Sequence, residues 1–167
     1  IFENCRVPAT SVIGQIDRGF PIALDTLDGG RIGIAAQAVG IARACLEEAV
    51  KYAKVRQQFG KPIASFQAIQ HKLADMQTRI DASRMLVHKA AWLRDRGDSC
   101  GREAAEAKLF ASQSANYCAD ECLQIHGGAG YTDHFIAERL FRDARITEIY
   151  EGATDIQRLV IARAVLA

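Results

Sequence analysis

The chain has 167 residues, of which 49% are hydrophobic, 25% charged and 7% aromatic, with a formal charge of +1. This composition excludes disorder, collagen and low-complexity sequence, and the near-neutral charge leaves no footprint for nucleic acid or an anionic membrane. No apolar run approaches the roughly 20 residues of a membrane span. Only three prolines occur, Pro8, Pro21 and Pro62, and alanine is abundant throughout. A long proline-free, alanine-rich remainder predicts helices, because proline disrupts a helix interior and alanine favours one.

Residues 1–24 mix short apolar pieces with Pro8, Gly14 and Gly19, which suits extended chain and turns. The opening Ile1-Phe2-Glu3-Asn4 has no signal-like stretch and reads as the continuation of a longer protein, so 1–24 is expected to be the tail of an upstream β-domain and connector. Residues 25–167 form the second unit. Its first helix is expected from about Pro21 to Val55, with Val39, Ala42, Leu46, Val50 and Ala53 on one face. The stretch QQFGKPI breaks it, with Gly60 able to cap and Pro62 unable to continue. Phe66, Ile69, Leu73, Met76, Ile80, Ser83 and Val87 then mark the seam of a second helix of about 30 residues. A third runs from about Arg102 to Ile125, is rich in small residues, and stops at Gly127-Gly128. A shorter helix is expected over Phe135 to Ala144. The segment RITEIYEG interrupts it, and a last helix runs from Thr154, a plausible N-cap, through Ile156, Leu159, Val160 and Ala164. The predicted fold is all-α: an antiparallel four-helix bundle with a short N-terminal extended stub.

Five cysteines without a CxxC pair have neither disulfide-scaffold nor zinc spacing. They read as reduced, buried or half-buried thiols of a reducing compartment, and no metal site is predicted. His71 and His88 read as surface or interface residues. Chemistry is more promising at the interruptions. Glu151 lies between Tyr150 and Gly152, where a carboxylate beside apolar side chains is the setting for a proton-abstracting base. By spacing alone it is equally an exposed loop residue or the partner of Arg142 or Arg145. QIHGG follows a helix and so reads alone as a C-cap, while Arg56 and Gln67 read as helix-end surface residues.

Taken in order, the stretches DGGRIGIAAQAVGIA, RQQFGKPIASFQAIQHKLADM, AAEAKLFASQSA and QIHGGAGYTDHFIAERLFRDARITEIYEGATDIQR resemble the C-terminal domain of the acyl-CoA dehydrogenase family over nearly the whole chain. The resemblance implies a helical domain and a β-domain upstream, a homotetramer, FAD as cofactor, an acyl-CoA substrate and an electron-transfer flavoprotein as partner. It implies cytoplasmic localisation in a bacterium and the mitochondrial matrix in a eukaryote. It places the catalytic base at Glu151, removing the α-proton of the thioester while a β-hydride passes to the flavin. The thioester oxygen is then held by the backbone N–H of that residue and a flavin hydroxyl. Cofactor contacts fall on Arg56, Phe59 and Gln67, on Gln124, Ile125, His126, Gly127 and Gly128, and on Ala153, Thr154 and Asp155. Those at Arg56, Gln67 and 124–128 are implied to serve the neighbouring subunit. Substrate contacts fall on Asp28, Gly29, Gly30 and Arg31, with Tyr150 and Gly152.

Departures from the family pattern are Ala153, where many members have Thr, and Asp155, where Gln, Glu or Asn is commoner. Isovaleryl and long-chain members place the base on the first helix, where this chain has Gly30. The implied reaction is dehydrogenation of a short or short/branched acyl-CoA to its trans-2-enoyl product, with these residues alone neither holding FAD nor turning over. A flavin monooxygenase or oxidase of the same fold, against which Glu151 argues, and a non-catalytic oligomerisation bundle are the alternatives.

Overall fold

Small side chains decide how the helices meet. The computed structural model describes residues 1–167. It contains α1 (Gly19–Val55), a two-residue-stranded hairpin β1 (Gln57–Gln58) and β2 (Lys61–Pro62), α2 (Gln67–Asp95), α3 (Gly101–His126), α4 (Ala137–Ile146) and α5 (Thr154–Leu166). The face that α1 buries is Ala35, Ala38, Ala42, Cys45, Ala49 and Ala53, all at most 1% exposed. They follow three- and four-residue steps and include the predicted Ala42 and Ala53, whereas the larger Val39, Leu46 and Val50 of the predicted face flank the seam half-buried. Opposite them α3 presents Ala107, Ala111, Ala115, Cys118, Ala119 and Cys122, and α3 packs against every other helix. A helix buried on several sides needs small residues nearly all round, which accounts for the alanine content of α3.

Pairings between the helices give their directions. Asp28 lies against Gly101 near the start of α1 and α3, and Tyr52 stacks on His126 at their ends, so these two helices run parallel. Lys72 pairs with Glu121 and Lys89 with Glu103, so α2 runs antiparallel to both. Its seam is as predicted, with Met76, Ile80, Ser83 and Val87 buried. The fourth position of the bundle is shared by α4 and α5. No helix is long and apolar enough to cross a membrane.

Several local expectations are corrected. Residues 1–18 hold a single 3-10 turn (Ala9–Ser11) and are fully exposed; α1 begins at Gly19, with Pro21 in its first turn, where a missing N–H costs nothing. Gly60 does not cap α1. Phe59 (φ 52°) and Gly60 (φ 77°) are instead the two left-handed residues of the hairpin turn, a geometry matched to strand twist. Thr154 is the first residue of α5 rather than its N-cap; its N–H and hydroxyl both donate to the Glu148 carbonyl, at 3.1 and 3.3 Å. On α5, Gln157 is the one buried residue, whereas Ile156 and Leu159 are about half exposed. Finally, Cys5 is exposed while the other four cysteines are buried.

Because α1 and α3 meet through alanines, added volume has nowhere to go. Ala42→Leu and Ala111→Leu are each expected to lower stability by about 1–3 kcal/mol in urea unfolding. Ala68→Leu, on the exposed side of α2, should change it by less than about 0.5 kcal/mol.

Candidate active site

The connection between α4 and α5 is closed by backbone geometry. Ile149 and Tyr150 N–H groups both donate to Ile146, and Thr154 returns to Glu148, leaving residues 151–153 as a tight bulge. Glu151 (φ 52°) and Gly152 (φ 90°) are consecutive left-handed residues. For glutamate that conformation costs on the order of 1 kcal/mol and persists only where surroundings enforce it. Three donors do so. Gln157 Nε2 donates to the carbonyls of Glu151 (3.2 Å) and Gly152 (2.8 Å), and Lys108 Nζ, from α3, donates to Gly152 at 2.7 Å. Tyr150 is fixed separately, its hydroxyl donating to Gln37 Oε1 at 2.6 Å.

This turn carries the Glu151 carboxylate back onto α1. A Cβ added at Gly30 would lie 2.5 Å from Glu151 Oε2, so the carboxylate rests on bare helix backbone. Arg142 pairs with Glu138 at 2.8 Å and Arg145 with Glu148, so neither arginine neutralises Glu151. The Glu151 N–H has no backbone acceptor and is free to donate. Next to Gly30, Arg31 is buried and its Nη1 donates to Asp28 Oδ1 at 2.6 Å. Gly29 lies beneath the Arg94 guanidinium. Arg31 Nε and Gln157 Oε1 are buried without protein partners. The structure thus brings Gly30, Arg31, Tyr150, Glu151 and Gly152 together. Arg31 is committed to Asp28 rather than standing open as an anion receptor. Ala153, Thr154 and Asp155 line an adjoining cavity of about 370 Å³, with Arg145 and Arg158 at its edge.

A second cleft, of about 310 Å³, lies at the other end of the bundle. Arg56, Ile125, His126, Gly127 and Gly128 line it, while Phe59, Gln67 and Gln124 stand exposed outside it. Gly127 ends α3 at φ 61°, and an added Cβ at Gly127 or Gly128 would meet nothing within 4 Å. The backbone there is open to a ligand. His126 is turned inward: its Nδ1 donates to the Cys122 carbonyl at 2.8 Å, and its ring stacks on Tyr52 at 4.3 Å. Burial works against its charged form, but the Cys122 thiol and carbonyl outweigh it and raise its pKa. The Cys122 thiol is brought down to about 6, first by its hydrogen bond with Cys45 and then by His126, against the effect of burial. From Gly30 to Arg56 the two sites are about 39 Å apart along α1, at 1.5 Å per residue.

Two residues of the first site were not singled out from sequence. Lys108 had a readable signal, a lone cation between Ala104 and Ala111 on the buried face of α3. Gln157 had none, because beside Asp155 and Arg158 a glutamine reads as a surface residue.

Three comparisons bear on what the site belongs to. A family profile described as "Acyl-CoA dehydrogenase, C-terminal domain" matches residues 17–166. The chain is 55% identical over 166 residues to a probable acyl-CoA dehydrogenase, YngJ, of Bacillus subtilis, covering 99% of this chain and 44% of that protein. It is 51% identical over 162 residues to the 3-(aryl)acrylate reductase of Clostridium sporogenes, covering 97% of this chain and 43% of that protein. Butyryl-CoA dehydrogenase from Megasphaera elsdenii superimposes with a TM-score of 0.98 at 48% identity, covering 100% of this chain and 44% of that one. The chain therefore spans less than half the length of these relatives.

The contact between Glu151 and Gly30 can be tested directly. Gly30→Ala sets a methyl group where the carboxylate now rests, and a crystal structure of the variant should show Glu151 displaced from α1 with the bundle unchanged. An unmoved carboxylate would refute the packing described here.

Proposed function

The chain belongs to the acyl-CoA dehydrogenase family, matching its C-terminal domain, and from that premise we propose that it supplies the catalytic base, Glu151, of an FAD-dependent acyl-CoA dehydrogenase. The observation that carries this reading is the unneutralised Glu151 carboxylate held over Gly30 by a left-handed turn. Removing an α-proton from a thioester needs a base fixed in position and a donor for the developing oxyanion. Glu151 supplies both in one residue: its carboxylate takes the proton, and its free N–H is placed to donate to the thioester oxygen. Gly30 leaves room for substrate and carboxylate beside α1. With glycine at position 30, only one base is present.

The residues assigned to FAD fit it chemically. Arg56 offers a guanidinium for a phosphate, the Gly127-Gly128 backbone is open, and Ala153 to Asp155 border a cavity edged by two arginines. When bound, FAD supplies the acceptor for the β-hydride. A separation of about 39 Å between the two clefts exceeds the reach of one dinucleotide. We therefore assign Ala153, Thr154 and Asp155 to the chain's own cofactor, and Arg56, Phe59, Gln67 and Gln124 to Gly128 to that of a neighbouring subunit. This requires an oligomer, read here as a homotetramer. Exposed Leu159, Val165 and Leu166 on α5 offer apolar surface for such assembly.

Residues 1–24 are assigned to the end of an upstream β-domain, and an electron-transfer flavoprotein is the proposed acceptor of the electrons. A short or short/branched acyl-CoA is the proposed substrate, supported by the likeness to butyryl-CoA dehydrogenase. The proposed location is the cytoplasm of a bacterium or the mitochondrial matrix of a eukaryote. The likeness to a 3-(aryl)acrylate reductase favours a second reading, the reverse reduction of a carbon–carbon double bond, in which Glu151 would return a proton to the α-carbon and the β-carbon would take its hydride from the reduced cofactor.

Two experiments on the full-length enzyme test these assignments. Glu151→Gln should cut turnover of butyryl-CoA with an artificial acceptor by about 10²–10⁴-fold while acyl-CoA still binds; undiminished turnover refutes the role of Glu151. Separately, a Glu151→Gln chain co-expressed with an Arg56→Glu chain should regain activity that neither has alone, since one hybrid site keeps both wild-type residues. No regain would show that each site draws on a single chain.

A further inference from the structure

Lys108 is a fully buried cation on a helix face otherwise made of small residues. Its only hydrogen bond is to the Gly152 carbonyl, and no carboxylate lies within ion-pairing distance. Burying an ammonium costs several kcal/mol, and burial does push Lys108 below the ordinary lysine pKa. Satisfying Gly152 does not explain that cost, because Gln157 already donates to the same carbonyl at 2.8 Å. A leucine or methionine at position 108 would pack in its place and leave that carbonyl paired.

We infer that Lys108 is a positioning residue for the Glu151 base: its ammonium, clamped on the Gly152 carbonyl, holds the two left-handed residues so that the carboxylate stands over Gly30. The inference rests on the proposed role of Glu151. Lys108 is completely buried and lies behind the turn, so it acts through the turn and not by touching substrate. The charged groups around it come from the α4–α5 connection and α1. Glu148 and Glu151, in the α4–α5 connection, stabilise the ammonium, whereas Arg31 on α1, itself paired with Asp28, opposes it. Gln157 reaches the same two carbonyls from α5 without charge. Lys108 and Gln157 therefore divide the task. Both fix the geometry, Gln157 through the two carbonyls and Lys108 through that of Gly152.

In the full-length holoenzyme, Lys108→Met is expected to lower kcat by about 100-fold through lost alignment, with KM for butyryl-CoA within about threefold of wild type. Lys108→Arg, which keeps a donor for the Gly152 carbonyl, should recover part of that loss. Gln157→Leu should likewise lower kcat more than it raises KM.

If Lys108→Met changes kcat only as far as bound FAD and melting temperature fall, or KM rises as much as kcat falls, the inference is wrong. It is equally overturned if neither Lys108→Met nor Gln157→Leu folds, since both residues then serve the fold alone. Glu151→Gln in parallel separates the two levels. Full activity in that variant removes the base assignment itself, whereas an inactive Glu151→Gln beside an unaffected Lys108→Met removes only the role of Lys108.

Discussion

Everything at the candidate site depends on how closely α1 approaches α3. The two helices run parallel through a seam of alanines and buried cysteines, without a large side chain to hold them apart. That contact fixes Gly30 on α1 and Lys108 on α3 relative to each other, and the α4–α5 turn is strung between them. Large residues would stabilise a looser bundle by burying more area. Here the small seam exchanges that area for precision of placement, which a base and its substrate require.

Within that frame, conformational strain and buried charge balance locally. Two successive left-handed residues are unfavourable for an isolated chain, particularly at Glu151. The hydrogen bonds from Gln157 and Lys108 converge on the two carbonyls that the turn directs inward, so the interior satisfies what the conformation exposes. Outward, the same turn leaves a carboxylate without an arginine partner and an N–H without a backbone acceptor. A loop with ordinary turn geometry would lose one or the other.

The sequence disclosed the fold in proportion to the size of its side chains. The α2 seam, built on Met76, Ile80 and Val87, was visible in its spacing, and the packed face agrees. On α1 the predicted Ala42 and Ala53 are in the packed face, but Val39, Leu46 and Val50 only flank it, because periodicity weights large residues whereas the packing uses alanines. On α5 the periodic residues point outward and a glutamine points in. Polar satisfaction of the Glu151 turn, not hydrophobicity, orients that helix. The hairpin between α1 and α2 was missed for a similar reason, since a Phe-Gly pair is a weak turn signal and Phe59 adopts a left-handed conformation under the constraint of its neighbours.

The site was legible only through resemblance. Spacing alone left Glu151 open to pairing with Arg142 or Arg145, and it took the folded chain to show both arginines engaged elsewhere. The two polar clefts lie at opposite ends of α1, each with its own glycines, and a helix of 37 residues cannot bend to bring them together. Proline, absent after Pro62, is replaced in every later turn by glycine, whose φ reaches values of 61° at Gly127 and 90° at Gly152. Glycine keeps the backbone N–H that proline would remove and the space that a Cβ would fill. The glycines at Gly30 and Gly152 admit close side chains, those at Gly127 and Gly128 leave open backbone, and the rigid α1 rod holds the two clefts apart within one chain.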